Sequence, residues 1–157
     1  MTSWQTFADE QPELATAVHA RFTAEKHHVL ATLRSDGSPR VSGTEVDFRA
    51  GHLLLGSMPG AVKARDLQRD GRFALHANPG DGSGMTEYGD AKLSGRAVEV
   101  TDPEEIERHR APGTPPGPFH LFRLLLEDVV VTTVENDEFL VVRLWKPGQG
   151  VRRIQRR

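Results

Sequence analysis

Between two apolar runs, residues 56–73 read GSMPGAVKARDLQRDGRF. Small residues come first, then Lys63 and Arg65, then a short helix-like run, then an Asp70-Gly71 turn. Small residues let the backbone approach a ligand closely, and free N–H groups at a helix start beside two cations suit a phosphate. Ser57 adds a hydroxyl where the preceding apolar run ends. Upstream, LATLRSDGSPRVSGTEVDF reads as a hairpin around Asp36-Gly37, and its second arm carries Ser42, Gly43 and Thr44. Such small residues leave room for a flat ring against the backbone, or simply make a poorly packed edge strand. Together the two stretches point to a bound phosphorylated cofactor. Lys63 and Arg65 stand two apart, which on a regular helix separates them by about 200°. They share one phosphate only near a helix start or if one side chain wraps around; otherwise Lys63 holds the phosphate and Arg65 reaches a different group.

Other chemistries find little footing. Cys is absent, which removes disulfides, thiolate zinc sites and Cys nucleophiles. His27 and His28 are adjacent and would face opposite ways on a strand, so one strand cannot offer both to a single ion. No HExxH motif accompanies His109 or His120, and no GxSxG elbow supports Ser–His–Asp hydrolysis. Hence no metal is expected. A formal net charge of −2 argues against a general nucleic-acid binder, and the RRIQRR ending at Arg157 reads as a solvated, partly disordered tail. No apolar run approaches membrane-spanning length, and the first residues lack a leader pattern. The expected compartment is the cytoplasm, with no membrane partner.

Those residues need elements to position them. Ser3 caps a first helical segment, and Pro12 opens a longer helix to about Lys26, with Leu14, Val18 and Phe22 on one face. Strands are expected at Val29–Arg34, Pro39–Arg49, His52–Ser57, Arg72–Ala77, Glu87–Val100, Phe119–Val134 and Glu138–Trp145. A short helix covers Gly60–Arg69, and Asp102-Pro103 starts another through about Arg110. The NPGDGSG segment, Asn78–Gly84, reads as a mobile loop without anchoring side chains. The APGTPPGP run is a stiff connector inside one domain spanning residues 1–157: a helical segment (1–27), a barrel (28–147) and a basic tail (148–157). This is mainly β, with about six or seven antiparallel strands in hairpin order forming a closed or nearly closed barrel with peripheral helices.

With that order in view, the chain resembles the flavin/deazaflavin oxidoreductases of the pyridoxamine 5′-phosphate oxidase-like split-barrel superfamily. The resemblance rests on LATLRSDGSPRVS (Leu30–Ser42), LLLGS (Leu53–Ser57) and KARDLQRDGRFAL (Lys63–Leu75). Each piece is weakly specific alone; their order makes the combination specific. The resemblance implies a homodimer with an FMN or deazaflavin cofactor in a groove between subunits. It implies that Lys63 and Arg65 hold the cofactor phosphate and that Ser57 contacts the phosphate or ribityl chain. It further implies that the strand holding Ser42, Gly43 and Thr44 lies beside the ring. Trp145, ending the last strand, is either a packing aromatic or a wall of the ring site.

Two departures from the family pattern stand out. Ala61 replaces a basic residue common in members, and the Arg-rich ending of true pyridoxamine-phosphate oxidases is not recognisable. The reading is a flavin- or deazaflavin-dependent oxidoreductase moving a hydride between the cofactor and a small planar organic substrate. The alternatives are a non-enzymatic flavin carrier, a pyridoxamine-phosphate oxidase-type enzyme, and a barrel that has lost its cofactor. The final hairpin, through Phe119, Leu121, Val141 and Trp145, is the surface expected to close the dimer.

Overall fold

Alternation at Phe73, Leu75 and Ala77, and at Leu93, Gly95 and Ala97, turns one face of each strand inward. In the computed structural model, which describes every residue except Glu87, those faces are buried and join one continuous core with Leu30, Leu55, Phe122 and Val129. Among the described residues, nine strands form a single antiparallel sheet: β1 His28–Leu33, β2 Pro39–Thr44, β3 Asp47–Arg49, β4 His52–Ser57, β5 Arg72–His76, β6 Asp90–Glu99, β7 His120–Glu135, β8 Phe139–Lys146 and β9 Gly150–Arg156. The main path runs β2-β1-β5-β6-β7-β4-β3, with β8 on β7 and β9 on β8. Its two end strands, β2 and β3, are sequence neighbours that do not pair with each other, so the barrel is split there. Long β7 makes this possible by pairing its first residues, His120–Arg123, with β4 and its far half with β8. A bulge at Ser94/Gly95 bends β6 around β7, and a Cβ on Gly95 would collide with the Leu125 carbonyl.

Helices close one end. Ser3 Oγ accepts the Thr6 N–H at 3.2 Å and caps α1, Trp4–Glu10. Pro12 opens α2, Pro12–Ala24, whose Leu14, Val18 and Phe22 are buried as the spacing requires. Phe7 packs on Trp145 at 4.8 Å and Trp4 on Phe48 at 4.6 Å. A third helix, α3, spans Val62–Arg69, and α4, Pro103–Arg108, is capped by Asp102.

Several expectations need correction. The single strand Pro39–Arg49 is two, because the chain leaves β1 at Glu45-Val46 to reach β4, and one straight strand cannot pair with both. The strand expected from Glu87 begins at Asp90; Glu87 itself lies outside the described residues. The basic tail is not loose: Gly148 and Gly150, at φ 75° and 65°, turn the chain back, and β9 pairs with β8 from Lys146↔Gly150 to Leu140↔Arg156. Arg153 and Arg157 bond to Glu135 and Glu138 at 3.0 and 2.9 Å, so charge that reads as a solvated tail is accommodated on an exposed edge strand. Leu121, Val141 and Trp145 are buried within the chain's own core and offer no dimer surface. The Asn78–Gly84 segment is tied at its start, where the Asn78 N–H donates to His28 Nδ1 at 2.9 Å.

Candidate functional site

The site is built where α3 covers one end of the barrel. Ala64 and Leu67 are buried on the inward side of α3, and Asp66 is fully buried beside them. Its carboxylate accepts Thr32 Oγ1 and Arg40 Nε, both at 2.8 Å, and Arg69 Nη2 at 3.1 Å. Burial alone would raise this carboxyl; the bonds from Arg40 and Thr32, with the charges of Arg40 and Arg69, outweigh it and hold the group below the usual range. This knot fastens α3 to β1 and β2. Beyond it, Asp70 accepts the Arg72 N–H and guanidinium, which lowers its carboxyl to about 2 and closes the turn into β5.

With α3 fixed, its cations diverge. Lys63 turns to β2, where Nζ donates to the Gly43 carbonyl at 3.0 Å. Burial lowers the ammonium from the ordinary lysine range, and only the Glu45 charge opposes that. Arg65 is exposed on the other flank, with Nη2 3.9 Å from where a Cβ on Gly60 would stand. The structure therefore has the divergent arrangement, with each cation against a different segment.

Along β2, Ser42 is half-buried, Gly43 exposed and Thr44 buried with Oγ1 donating to the Glu45 carbonyl at 3.3 Å. β2 has a strand partner on one side only, and a Cβ added to Gly43 would meet nothing within 4 Å. The strand thus presents open space to a flat group beside a half-buried cation. At the end of β4, Ser57 is 7% exposed and its Oγ has no hydrogen-bond partner among the described residues. A buried hydroxyl left unpaired is costly, and this one can bond a ligand oxygen. Trp145 stands apart from all of these: its indole is fully buried in the core against Phe7, and Nε1 donates to Glu10 at 3.4 Å. It is the packing aromatic.

A second network was not foreseen. His120, opening β7, lies directly opposite Ser57 in the β4–β7 register, so both side chains leave the same face. The Gly60 N–H donates to His120 Nε2 at 3.2 Å, and Nδ1 lies 3.2 Å from Glu99 Oε2. Because the Gly60 N–H can only donate, Nε2 is the acceptor and Nδ1 carries the proton given to Glu99. Gln68 on α3 also donates to Glu99, at 2.9 and 3.1 Å. Local spacing shows only the Asp66–Arg69 pair at i, i+3; the other partners of Asp66 lie 26 and 34 residues away, and Gly60 lies 60 from His120. The only hint is Asp66 in the helical run Ala64–Leu67, on the side the sheet must cover.

This order of strands, split at β2 and β3 with a cation-bearing helix across one end, has a match. A sequence profile described as pyridoxamine 5′-phosphate oxidase covers residues 14–132. The chain belongs to the pyridoxamine 5′-phosphate oxidase family. No curated protein matches it in sequence. Among solved structures, a pyridoxamine 5′-phosphate oxidase-related FMN-binding protein from Nostoc punctiforme superposes with a TM-score of 0.65 at 13% identity, over 94% of this chain and 96% of its own. PhzG from Burkholderia lata, solved with tetrahydrophenazine-1-carboxylic acid, gives 0.64 at 18% identity over 98% and 93%. HutZ, a heme storage protein of Vibrio cholerae, gives 0.54 at 18% identity over 78% and 94%. At these identities the similarity is one of fold, and that fold occurs both in an FMN-binding protein and in a heme storage protein. Among the described residues, no helix is long and apolar enough to cross a membrane.

Proposed function

We propose that this family member is an FMN- or deazaflavin-dependent oxidoreductase that moves a hydride between the bound cofactor and a small planar organic substrate. The observation that carries the reading is Lys63, a half-buried ammonium held at the Gly43 carbonyl beside an open stretch of edge strand. Lys63 would hold the cofactor phosphate, and Ser57 Oγ would supply a hydrogen bond to it or to the ribityl chain. Backbone along Ser42–Thr44 would orient the ring, and Arg65 would reach a separate group. The ring supplies the two-electron chemistry; the protein's part is binding, orientation and exclusion of water. The FMN-binding relative from Nostoc punctiforme supports a flavin as occupant.

The active unit in this proposal is a homodimer. Support comes from the outer face of β1, β2, β5, β6 and β7, where Val29 and Val41 are 49% and 72% exposed around a cavity of about 400 Å³ that Ala31, Ala74 and Val130 also line. A second copy covering this face would remove apolar surface from water and wall the open side of β2.

A second reading, a non-catalytic cofactor carrier, draws on HutZ, a storage protein with the same fold. Absorbance titrations of the purified protein with FMN and with the deazaflavin coenzyme, followed by addition of a nicotinamide reductant or of pyridoxamine 5′-phosphate, separate the possibilities. Saturable binding with turnover supports the oxidoreductase. Saturable binding without turnover supports the carrier, and no binding to either cofactor refutes both.

A further inference from the structure

His120 has no place in the cofactor contacts proposed above, yet it ties the loop before α3 to the barrel. Its Nε2 accepts the Gly60 N–H at 3.2 Å while Nδ1–H faces Glu99 Oε2 at 3.2 Å. Glu99 is itself oriented by Gln68, which reaches it from α3 at 2.9 Å. Three elements therefore meet at one imidazole: β6 through Glu99, α3 through Gln68, and the Met58–Ala61 loop through Gly60. The groups facing the ring are Glu99 as the charged one, Gln68 as a neutral amide, and Ser57 as its cross-strand neighbour. Phe122 stacks at 6.4 Å.

We infer that His120 is a proton-responsive latch on the Met58–Ala61 loop, setting the loop's donors according to its own charge. The inference rests on the proposed phosphate site. With the ring neutral, Nε2 is an acceptor and holds the Gly60 N–H turned toward itself. A proton added at Nε2 turns that atom into a donor, and two donors cannot face each other across 3.2 Å. The Gly60 N–H is then released toward the loop's other side. At the same time an imidazolium N–H, backed by the Glu99 carboxylate, stands across from the unpaired hydroxyl of Ser57. A phosphate in the loop would gain a charged donor and a free backbone N–H in the same step. Anion binding is therefore coupled to proton uptake: protonating His120 tightens the phosphate, and a bound phosphate favours the protonated ring. His120 thus acts in two ways, as a charged donor to the phosphate and by setting the Gly60 N–H.

Two measurements test the latch, one of which needs no cofactor. In the free protein, NMR of labelled samples follows the His120 ring and the Gly60 amide from pH 8 to pH 5, the range in which imidazoles change charge. The latch predicts that the Gly60 amide moves with the same midpoint as His120 and stays still in His120→Gln, whose side-chain oxygen can accept the amide but takes no proton. A Gly60 amide that ignores the titration of His120 overturns the inference, whatever the cofactor does.

The second measurement is FMN affinity at pH 8 and pH 6 for wild type and His120→Gln, with riboflavin as the probe lacking phosphate. The phosphate's own protonation is common to both proteins, so the comparison isolates the ring. Wild-type affinity should improve on acidification by about fivefold or more relative to His120→Gln, as expected when a neutral contact becomes a charge-assisted one. Riboflavin should show no such difference. Equal pH responses of the two proteins toward FMN overturn the coupling. If FMN fails to bind wild type at either pH, the phosphate-site reading and the coupling fall together, while the NMR titration still decides whether the latch exists.

Discussion

Lys63 reaches back twenty residues to donate to the carbonyl of Gly43, at 3.0 Å, and so joins the helix across the barrel end to the edge strand beside it. That contact puts a cation next to backbone that no strand covers. A neutral carbonyl does not balance an ammonium charge, so the pairing leaves Lys63 available to an anion.

If a phosphate is that anion, Lys63→Ala weakens cofactor binding by about 1.5–3 kcal/mol, the range for a hydrogen bond to a charged group. Arg65→Ala should cost clearly less, because Arg65 is exposed and solvent screens its charge. Isothermal titration of the two variants with FMN checks the order, and equal losses would contradict the divergent geometry.

Asp66 should dominate the local stability. Removing its carboxylate takes the shared partner from Arg40 and Thr32 and leaves Arg69 only the Leu33 carbonyl. Asp66→Ala is expected to cost about 1–3 kcal/mol, the range for leaving a buried hydrogen-bonding group without its partner, since Arg40 and Arg69 reach solvent. Urea unfolding measures this; a loss below 1 kcal/mol would contradict the role given to the knot. Since its carboxyl is held below the ordinary value of 3.8, its contribution is complete above that pH and fades as pH falls through the lowered value.

His28 gives the chain an acid-sensitive seam elsewhere. Nδ1 accepts the Asn78 N–H at 2.9 Å, so Nε2–H donates to the Phe22 carbonyl at 3.0 Å, and burial lowers the ring below its ordinary 6.5. The unfolded chain takes the proton first. The stability from the neutral ring is therefore full above pH 6.5 and is lost as pH drops below it. Unfolding free energies at pH 7.5 and pH 5 should fall more steeply for wild type than for His28→Gln; parallel slopes would be contrary to this.

The homodimer is tested on its face rather than at the final hairpin. Val41→Glu places a charge in the middle of the exposed apolar surface and should shift light-scattering mass from dimer to monomer at micromolar concentration. Dimer mass in the variant would send the interface elsewhere.

Much of the frame was legible because it is local. Periods of two and of 3.6 residues marked the core faces of β5, β6 and α2, and the caps at Ser3 and Asp102 announced their helices. Where the text misled or left a choice, a non-local term decided. The sequence leaves Trp145 open between a packing aromatic and a wall of the ring site, and α1 decides for packing by supplying Phe7 and Glu10 to bury it. The final arginines are solvated as they look, yet they are not a loose tail: β8 offers them an edge and Glu135 and Glu138 offer partners. Of the site, Lys63 was readable from its place after small residues. Asp66, Arg40 and His120 were not, because their partners are brought together only by the closed sheet.

The central claim, that Lys63 holds the phosphate of a flavin-type cofactor, is tested most directly by comparing FMN with riboflavin in wild type and Lys63→Ala. Wild type should prefer FMN by about tenfold or more, matching the energy assigned to one charged hydrogen bond. The variant should bind both alike, and riboflavin affinity should be nearly the same in the two proteins. Raised salt should erode the FMN preference of wild type and leave the variant unmoved. An FMN preference of the same size in Lys63→Ala would contradict the assignment.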